Sequence, residues 1–361
     1  RLMSIYATLM AGGVGTRFWP RSRKTSPKQV LNIAGENTMI QETHRRLKGM
    51  VEDSDILIVT NHEQKPLIQE QLSMLEDKNF VLEPFGRNTA PCIGLAALHV
   101  HAQDPDGVMV VMPADHLIAN VEEFQRVVRL ACDFARESGG LVTLGITPDE
   151  PATGYGYIQS GEIVHDEGGR TVRRVKSFAE KPNLETAKRF LESGDFFWNS
   201  GMFIWRASTI LREIKEKLPD IYEPLMALED HLGKPSYDEE LVKMYEQIRG
   251  ISIDYGVMQE AEEVYVIPTD MGWNDVGSWE TVYEISPKDK NDSTGEYREM
   301  ISINSQRNYA YSPDKVVALV GVEDLIVVDT GDAILIGRRD ASQDVKEAVE
   351  ALKKKGLEDL L

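Results

Sequence analysis

The sequence predicts an α/β protein: a large domain built on a mostly parallel β-sheet, followed by a small β-rich appendage. Short β-branched runs alternate with segments of helical spacing through the first half of the chain, which is typical of parallel strands joined by crossover helices. Between residues 300 and 337 the helical spacing gives way to short strands and turns. The length of 361 residues exceeds that of an average domain, which favours one large and one smaller unit.

The first half of the chain supplies the predicted sheet. Buried strands are expected at residues 5–10, 55–60, 80–82, 108–112 and 141–146. Helices are expected between them at residues 39–47, 64–75, 90–101 and 121–136. Active sites of such sheets lie beyond the carboxyl ends of the strands, so the residues that follow each strand are the first candidates for function.

The second half shows a more mixed pattern. Extended segments are expected at residues 155–159, 173–178 and 203–205, and helices at 184–191, 208–217 and within 222–249. A charged amphipathic helix is expected at residues 341–355. We place the boundary between a main domain of residues 1–285 and an appendage of residues 286–361, ahead of the change in pattern.

Composition argues against several classes of partner. The net charge of −19 disfavours binding to nucleic acid or to an anionic membrane surface. The sequence has no apolar run approaching the roughly 20 residues that a transmembrane helix needs. The two cysteines, Cys92 and Cys132, lie in apolar segments and are expected to be buried free thiols. Free thiols are typical of a reducing compartment, and we predict a cytoplasmic protein.

One basic segment stands out against this acidic background. Residues 16–30 contain no acid and the following cations: Arg17, Arg21, Arg23, Lys24 and Lys28. A short basic segment suits a small polyanion better than a long one. A solvated loop that is basic by composition alone is the alternative.

The basic segment begins in a glycine-rich loop, Ala-Gly-Gly-Val-Gly-Thr-Arg-Phe, that follows the first strand directly. Glycines let backbone N–H groups approach phosphate oxygens closely because no Cβ intervenes. A dinucleotide-binding fingerprint would need a glycine at the position of Phe18. A Walker loop would need a lysine and then Ser or Thr after Gly15, where Thr16 and Arg17 stand. The loop therefore belongs to neither class.

What remains is Gly-Gly-x-Gly-x-Arg at residues 12–17, followed by Pro27 and Lys28. This pattern resembles the signature of the sugar-1-phosphate nucleotidylyltransferases, and residues 83–91 and 197–203 are similar to its mannose-1-phosphate guanylyltransferase branch. The resemblance is dense over residues 5–279 and looser beyond. It implies a Rossmann-like nucleotidyltransferase domain and a small C-terminal appendage resembling a left-handed β-helix.

The resemblance also implies a reaction. The phosphate of mannose 1-phosphate attacks the α-phosphorus of GTP in line, GDP-mannose forms, and pyrophosphate leaves without a covalent enzyme intermediate. Mg²⁺ is the implied cofactor. The chain ends before the isomerase barrel that bifunctional relatives carry, so only the transferase activity is expected. A homodimer is expected because the apolar runs at 316–320 and 325–328 form sheet surface that a second copy can cover.

The resemblance assigns residues to the nucleotide. They lie in the glycine loop and after the third strand: Ala11, Gly12, Gly13, Gly15, Thr16, Glu83, Gly86, Asn88 and Thr89. Arg17 and Lys28 would hold the leaving pyrophosphate and stabilise its growing charge. Guanine presents N–H donors, so selectivity over adenine requires an acceptor such as Glu83. A capped strand–helix turn is the alternative interpretation of residues 83–91.

Two acids and three further segments complete the implied site. Asp115 follows the strand at 108–112, and Asp275 lies in Gly-Trp-Asn-Asp-Val-Gly; the resemblance implies that both ligate Mg²⁺, which typically takes one or two carboxylates plus phosphate oxygens. The implied sugar-phosphate residues are Gly154, Gly156, Glu180, Lys181 and Asn199, with Lys181 also acting on the incoming phosphate. Without the resemblance, turn caps and a surface charge pair are the alternatives.

Other functions stay open on the sequence alone. One is a transferase of the UDP- or ADP-glucose type, and another is a non-catalytic subunit that senses nucleotide sugars. His99-Val-His101 is similar to the His-x-His of enzymes that form a uridylyl-histidine. It lies near the end of an expected helix, where positions i and i+2 face different directions, so solvated helix histidines are expected instead.

Overall fold

The structure, a computed structural model, describes residues 4–361. Its strands are β1 (Ile5–Met10), β2 (Ile56–Thr60), β3 (Phe80–Leu82), β4 (Val108–Pro113), β5 (Leu117–Ile118), β6 (Leu141–Ile146), β7 (Tyr157–Glu167), β8 (Arg170–Ala179), β9 (Phe196–Arg206), β10 (Val264–Thr269), β11 (Trp273–Asn274), β12 (Thr294–Ile303), β13 (Tyr309–Val320), β14 (Leu325–Asp329) and β15 (Ile334–Arg338). Its α-helices are α1 (Met39–Arg45), α2 (Lys65–Gln71), α3 (Thr89–Gln103), α4 (Val121–Ser138), α5 (Leu184–Ser193), α6 (Ala207–Lys217), α7 (Pro219–Ala227), α8 (Tyr237–Gln247), α9 (Trp279–Ile285) and α10 (Val345–Lys354).

The main sheet has the strand order β3-β2-β1-β4-β9-β6-β10-β8-β7. Strands β1 to β4 are mutually parallel, β6 pairs parallel with β10, and β9 runs antiparallel between β4 and β6. Within this sheet, as far as residues 4–361 form it, only β8 and β9 run against the common direction. The mostly parallel α/β fold predicted from the sequence is confirmed.

Helices cover both faces of the sheet because its central strands are apolar on both sides. In β4, Val108, Val110 and Met112 face one hydrophobic layer, whereas Met109 and Val111 face the other. Residues of α4 belong to the first layer, and residues of α3, α6 and α7 belong to the second. Burial on both faces makes such strands continuous apolar runs, which is why the sequence predicted them.

Strands β9 and β10 of the main sheet show where prediction from the sequence fell short. β10 lies between β6 and β8, but its apolar stretch is short and ends at Pro268, so neither length nor period identified it. β9 was expected only at 203–205, because Asn199, Ser200 and Gly201 interrupt its apolar pattern. The Ser200 hydroxyl donates to the Leu144 carbonyl at 2.6 Å, so pairing with β6 stabilises this polar stretch as strand.

The C-terminal strands form a separate sheet in the order β12-β13-β14-β15, with parallel pairing except between β14 and β15. The buried side chain of Asn308 donates to the Val322 carbonyl and accepts from the Leu325 N–H. It thereby ties one turn of the chain to the next, which is characteristic of stacked solenoid coils. β12 and β13 have 10 and 12 residues and are longer than the short strands expected.

An aromatic cluster joins the C-terminal region to the main domain. Phe18 and Trp19 pack in one buried cluster with Trp279 of α9, Tyr309 of β13 and Leu361. Two ion pairs lie nearby, Arg23 with Asp332 and Arg339 with Glu280. In each, the guanidinium donates two hydrogen bonds to the carboxylate. The end of the glycine loop therefore packs directly against the appendage.

Two further expectations from the sequence concern membrane-spanning segments and cysteines. Within residues 4–361, no helix combines the length and the apolar character that crossing a membrane requires. Cys92 and Cys132 are buried free thiols, as predicted.

Candidate active site

The glycine loop leaves β1 and is held from behind by two amide side chains. Gln29 Nε2 donates to the carbonyls of Ala11 and Gly13 at 3.2 and 2.8 Å. Gln64 Nε2 donates to the carbonyls of Gly12 and Gly13 at 3.2 and 3.1 Å. The backbone N–H groups of Gly12 and Gly13 donate no hydrogen bond to any group of residues 4–361. The loop thus keeps free backbone donors beside the cavity that it lines.

Lys28 packs against the loop at Gly15. Gly15 has a φ of +76°, and a Cβ at this position would lie 2.6 Å from the Cβ of Lys28, so only glycine fits without strain. Lys28 is 5% exposed, and its Nζ lies 3.1 Å from Asp115 Oδ2 and 2.9 Å from the Asp275 carbonyl oxygen. One ammonium group therefore joins the two segments that carry the predicted metal ligands.

Asp115 and Asp275 flank a two-stranded ribbon. β5 pairs antiparallel with β11; Asp115 precedes β5, and Asp275 follows β11. The Tyr155 hydroxyl donates to Asp275 Oδ1 at 2.9 Å and orients that carboxylate. Burial acts to raise the pKa of Asp115, but the charge of Lys28 holds this pKa below its usual value. Asp115 is therefore a carboxylate at neutral pH.

These two carboxylates fit part of the coordination shell of a divalent cation. Mg²⁺ usually takes one or two protein carboxylates and completes its octahedron with phosphate oxygens and water. Among residues 4–361, no group of three or more His, Cys, Asp or Glu side chains could hold a metal ion. Asp115 and Asp275 would supply two of the ligands of such a cation, with phosphate oxygens and water as the others.

A cavity of about 650 Å³ extends from the glycine loop to the start of α3. Its lining contains most of the nucleotide-binding residues assigned from the sequence: Ala11, Gly12, Gly13, Gly15, Glu83, Gly86, Asn88 and Thr89. Asp115 also lines it. A volume of this size is typical of small-molecule sites, so the structure brings the assigned segments together around a space that a nucleotide can occupy.

Glu83 lies at one end of this cavity and is 8% exposed. The Tyr245 hydroxyl donates to Glu83 Oε2 at 2.6 Å. Burial raises the pKa of Glu83 to about 7, and the hydrogen bond from Tyr245 opposes part of that rise. The ring of Phe85 is 37% exposed, and the Arg87 guanidinium lies 4.7 Å from its centroid. A buried acceptor and an exposed aromatic face therefore meet here.

The turn before α3 is capped, as the sequence suggested. Asn88 has a φ of +67°, and its side chain accepts from the Thr89 N–H at 2.8 Å. The Thr89 hydroxyl in turn accepts from the Ile253 N–H at 2.8 Å. The cap and the cavity lining thus involve the same residues, so the two interpretations of residues 83–91 are compatible.

A smaller cavity of about 160 Å³ adjoins Asp275. It is lined by all the assigned sugar-phosphate residues except Lys181: Gly154, Gly156, Glu180 and Asn199. Asn199 Nδ2 donates to Asp254 Oδ1 at 2.7 Å. Burial raises the pKa of both Glu180 and Asp254, and the charge of Asp254 raises that of Glu180 further. A Cβ on Gly156 would lie 2.6 Å from Glu180 Oε2, so glycine there makes room for the carboxylate.

Four assigned residues lie outside both linings, and one of them is the buried Lys28 described above. Thr16 and Arg17 are exposed in a short 3₁₀ turn at the end of the glycine loop. Lys181 is exposed and has a φ of +43° directly after Glu180. Arg17 and Lys181 form no ion pair with any residue that the structure describes. Both cations are therefore free to meet an anionic ligand.

Sequence reasoning missed five residues of the site: Gln29, Gln64, Tyr155, Tyr245 and Asp254. Gln64 precedes α2 and Tyr245 lies in α8, where a helical pattern predicts packing and no chemistry. Asp254 begins a π-helical turn at Asp254–Met258, a feature often found at functional sites. The only sequence signal for Asp254 was that a single acid follows a short apolar stretch. That signal does not distinguish a functional residue from a residue in a turn.

The expectation for the paired histidines is wrong in part. His99 is partly buried, and its Nε2 lies 2.8 Å from the Tyr237 hydroxyl. Burial lowers the pKa of His99 to about 4. His99 is thus a neutral packing residue of α3 and not a solvated histidine, because α8 covers this side of the helix.

Comparison with known proteins identifies the family. Residues 6–292 match the family described as nucleotidyl transferase, and residues 298–352 match the MannoseP isomerase/GMP-like beta-helix domain. The chain belongs to the nucleotidyl transferase family. The resemblance and the β-helix-like appendage predicted from the sequence are confirmed. Enzymes of this family generally use a divalent metal ion, which the paired aspartates fit.

Several relatives match nearly the whole chain. Mannose-1-phosphate guanylyltransferase of Escherichia coli (strain K12) is 42% identical over 360 residues, covering 98% of this chain and 74% of that protein. Mannose-1-phosphate guanylyltransferase ManC of Salmonella typhimurium (strain LT2) is 43% identical over 364 residues, covering 99% and 75%. A crystal structure described as mannose-1-phosphate geranyltransferase from Thermus thermophilus superposes with a TM-score of 0.86 at 30% identity, covering 97% of this chain and 100% of that one.

Proposed function

We propose that this chain transfers GMP from GTP to α-D-mannose 1-phosphate, forming GDP-mannose and releasing pyrophosphate. The observation that carries the proposal is the meeting of two cavities at a pair of acids: Asp115 lines the larger cavity and Asp275 the smaller. Lys28 contacts both segments. Relatives that are 42% and 43% identical are mannose-1-phosphate guanylyltransferases.

The residues of the chain act by positioning and by charge neutralisation. The free N–H groups of Gly12 and Gly13 bind triphosphate oxygens, and Arg17 and Lys28 neutralise the leaving pyrophosphate. Lys181 neutralises the incoming sugar phosphate. In-line attack by that phosphate needs no enzyme nucleophile, so correct placement of the two substrates supplies most of the catalysis.

Asp115 and Asp275 are the proposed Mg²⁺ ligands. When bound, the cation stabilises charge on the reacting phosphate group. Asp115 is ionised at neutral pH because Lys28 lowers its pKa, as a metal ligand must be. The hydrogen bond from Tyr155 fixes the orientation of Asp275, the usual role of groups that surround a metal ligand.

Guanine recognition is proposed at the Glu83 end of the larger cavity. The Tyr245 hydroxyl donates a hydrogen bond to Oε2 of Glu83, and the other carboxylate oxygen is available to accept hydrogen bonds from the base. The exposed ring of Phe85 offers a surface on which a base can stack. Adenine lacks the matching donors and would leave a buried acceptor unpaired, which is costly.

Mannose recognition is proposed in the smaller cavity. The carboxylates of Glu180 and Asp254 and the amide of Asn199 lie together there. Such groups accept hydrogen bonds from hydroxyls, which suits a ligand rich in hydroxyl groups.

The proposal extends to assembly and location. Several apolar side chains of the C-terminal sheet are exposed: Ile301 by 46%, Ile303 by 51%, Val320 by 62% and Ile336 by 68%. A second copy of the chain is the partner that we propose for this surface, in a homodimer. We also propose the domain division at residue 285 and a cytoplasmic location.

A matrix of substrates tests the activity. GTP, ATP, UTP and CTP are each combined with mannose 1-phosphate and with glucose 1-phosphate in the presence of Mg²⁺, and pyrophosphate release is measured. We expect the highest kcat/KM for GTP with mannose 1-phosphate, a loss of at least about a hundredfold with ATP, and a smaller loss with glucose 1-phosphate. Highest efficiency with UTP or ATP would contradict guanine recognition. No pyrophosphate from any pair would contradict a transferase.

A further inference from the structure

The imidazole of His116 lies in the lining of the smaller cavity, directly after the proposed metal ligand Asp115. Its backbone is held by Arg46, whose Nη2 donates to the His116 carbonyl at 2.7 Å. A Cβ on Gly201, which belongs to the same lining, would lie 4.0 Å from Cε1 of the imidazole. The Cε1 edge of the ring therefore faces the cavity in which we place the sugar.

A hydrogen bond from Trp273 determines which ring nitrogen of His116 carries the proton. The indole Nε1 of Trp273 lies 3.1 Å from Nδ1 of His116, and an indole N–H can only donate. Nδ1 is therefore the acceptor, which leaves a neutral ring with its proton on Nε2. The two rings also meet edge to face, with their centroids 5.5 Å apart. Trp273 thus fixes His116 as a donor at Nε2.

This Nε2–H donor has no acceptor among residues 4–361. Oδ1 of Asp115 lies 3.9 Å from Nε2, which is too far for a hydrogen bond. Nε2 is nevertheless not fully buried, so it keeps accessible surface at the cavity that the ring lines. The donor is therefore available to a ligand.

The other side-chain donors of this lining are largely used within the protein. The hydroxyls of Tyr155 and Ser200 donate to protein oxygens, and Asn199 uses one of its two amide hydrogens in the same way. The rest of the polar lining consists of acids: Glu180, Asp254 and Asp275. An anionic group that enters such a lining needs donors, because phosphate binds best through charge-assisted hydrogen bonds. His116 and the second amide hydrogen of Asn199 are the side-chain donors that the lining still offers.

The position of Nε2 indicates which part of a ligand it meets. His116 lines the smaller cavity, whereas Asp115, whose Oδ1 is 3.9 Å from Nε2, lines the larger one. In the proposed reaction the two substrates join through their phosphates. Phosphate oxygens, and not the base or the sugar hydroxyls, therefore occupy the boundary between the cavities.

We propose that His116 binds the phosphate of the sugar 1-phosphate, donating its Nε2–H to an oxygen of that phosphate, and that Trp273 is the positioning residue that maintains this tautomer. The inference rests on the proposed transferase function. The hydrogen bond orients the phosphate for attack on the α-phosphorus of GTP. The imidazole keeps its proton, because the attacking phosphate is already ionised at neutral pH.

Steady-state kinetics of pyrophosphate release test the assignment in His116→Phe and His116→Gln. Phenylalanine keeps a ring and removes the donor, whereas the glutamine amide can again donate. We expect His116→Phe to lower kcat/KM for mannose 1-phosphate at least about tenfold, as a lost hydrogen bond to a charged group implies. The KM for GTP should stay within about twofold of the wild type, and His116→Gln should recover part of the loss. An unchanged kcat/KM, or a KM for GTP that rises as much as this kcat/KM falls, would overturn the proposal.

NMR of protein labelled with ¹⁵N-histidine provides a readout that does not depend on turnover. The signals of His116 are identified by their loss in His116→Gln. The protein is held with Mg²⁺ and a GTP analogue whose α–β bridge is a methylene group, so that no reaction occurs. We expect a neutral ring protonated at Nε2, whose Nε2 signal shifts on addition of mannose 1-phosphate and not of mannose. His165, which is exposed on β7 and lines neither cavity, should not respond.

A ring protonated at Nδ1, no response to mannose 1-phosphate, or an equal response to mannose would overturn the proposal. Trp273→Phe removes the indole donor, so His116 should then populate both neutral tautomers; an unchanged tautomer would overturn the positioning role of Trp273. A wild type that releases no pyrophosphate contradicts the proposed function, and the titration still tests His116. An active wild type whose His116 does not respond contradicts this inference alone.

Discussion

Replacing Glu83 by glutamine should stabilise the protein in a pH-dependent way. Glu83 is almost fully buried, and its pKa is raised from 4.5 to about 7 because burial disfavours the charged form. A group with a raised folded-state pKa contributes stability below its unfolded pKa and loses it as the pH rises through the folded pKa. The native protein is therefore penalised above pH 7 for holding this carboxylate in its charged form.

The size of the effect follows from the two pKa values. Each pKa unit corresponds to about 1.4 kcal/mol, so the difference between 4.5 and about 7 corresponds to about 3 kcal/mol. Glutamine has the same shape, carries no charge and can still accept from the Tyr245 hydroxyl. We expect Glu83→Gln to exceed the wild type in free energy of unfolding by about 3 kcal/mol at pH 8.5 and by less than about 1 kcal/mol at pH 5.

Urea unfolding followed by tryptophan fluorescence at pH 5, 6.5 and 8.5 measures this difference. Glu70→Gln is the matched control, because Glu70 is exposed on α2 and its replacement should shift the curve equally at each pH. Parallel pH profiles for the wild type and Glu83→Gln would refute the reasoning. The same variant should lose kcat/KM for GTP, because stability and substrate recognition make opposite demands on a buried carboxylate.

The remaining predictions concern the proposed chemistry and assembly. Asp115→Asn should lower kcat by at least about a hundredfold, or about 3 kcal/mol, with an unchanged circular dichroism spectrum; near-wild-type turnover at saturating Mg²⁺ would exclude it as a ligand. Lys181→Ala should lower kcat/KM by about 1.5–3 kcal/mol when mannose 1-phosphate is varied, and Lys28→Ala should do so when GTP is varied; equal effects of both variants on both substrates would contradict the assigned roles. Ile336→Lys should shift a homodimer towards monomer in sedimentation velocity at micromolar concentration, and a wild type that sediments as a monomer would contradict the assembly proposal.

The sequence predicted those parts of the site that short patterns determine. The glycine loop and the acids Asp115 and Asp275 stand in compact motifs next to strand ends, where parallel sheets place their active sites. The groups that hold these residues come from distant segments: Tyr245 is 162 positions from Glu83, and Gln64 is 35 from Gln29. No local pattern connects such pairs, because the fold alone brings them together.

The reversed strand β9 shows a second limit of prediction. Asn199 lies in its first half and pairs with Gly145 near the end of β6. The parallel strands end at the active-site edge of the sheet. Because β9 runs in the opposite direction, it begins at that edge. The rule that site residues follow their strands therefore applies to Asp115 and fails for Asn199, which was assigned through the resemblance instead.

The packing of Phe18 and Trp19 against Tyr309 and Leu361 has a consequence for folding cooperativity. The end of the glycine loop and the C-terminal sheet share one hydrophobic cluster, so neither can melt while the other keeps its packing. Heating should accordingly remove both in a single calorimetric transition. In evolution, the two parts are then constrained to change together: a relative that exchanged its appendage would also have to redesign the aromatic end of its glycine loop.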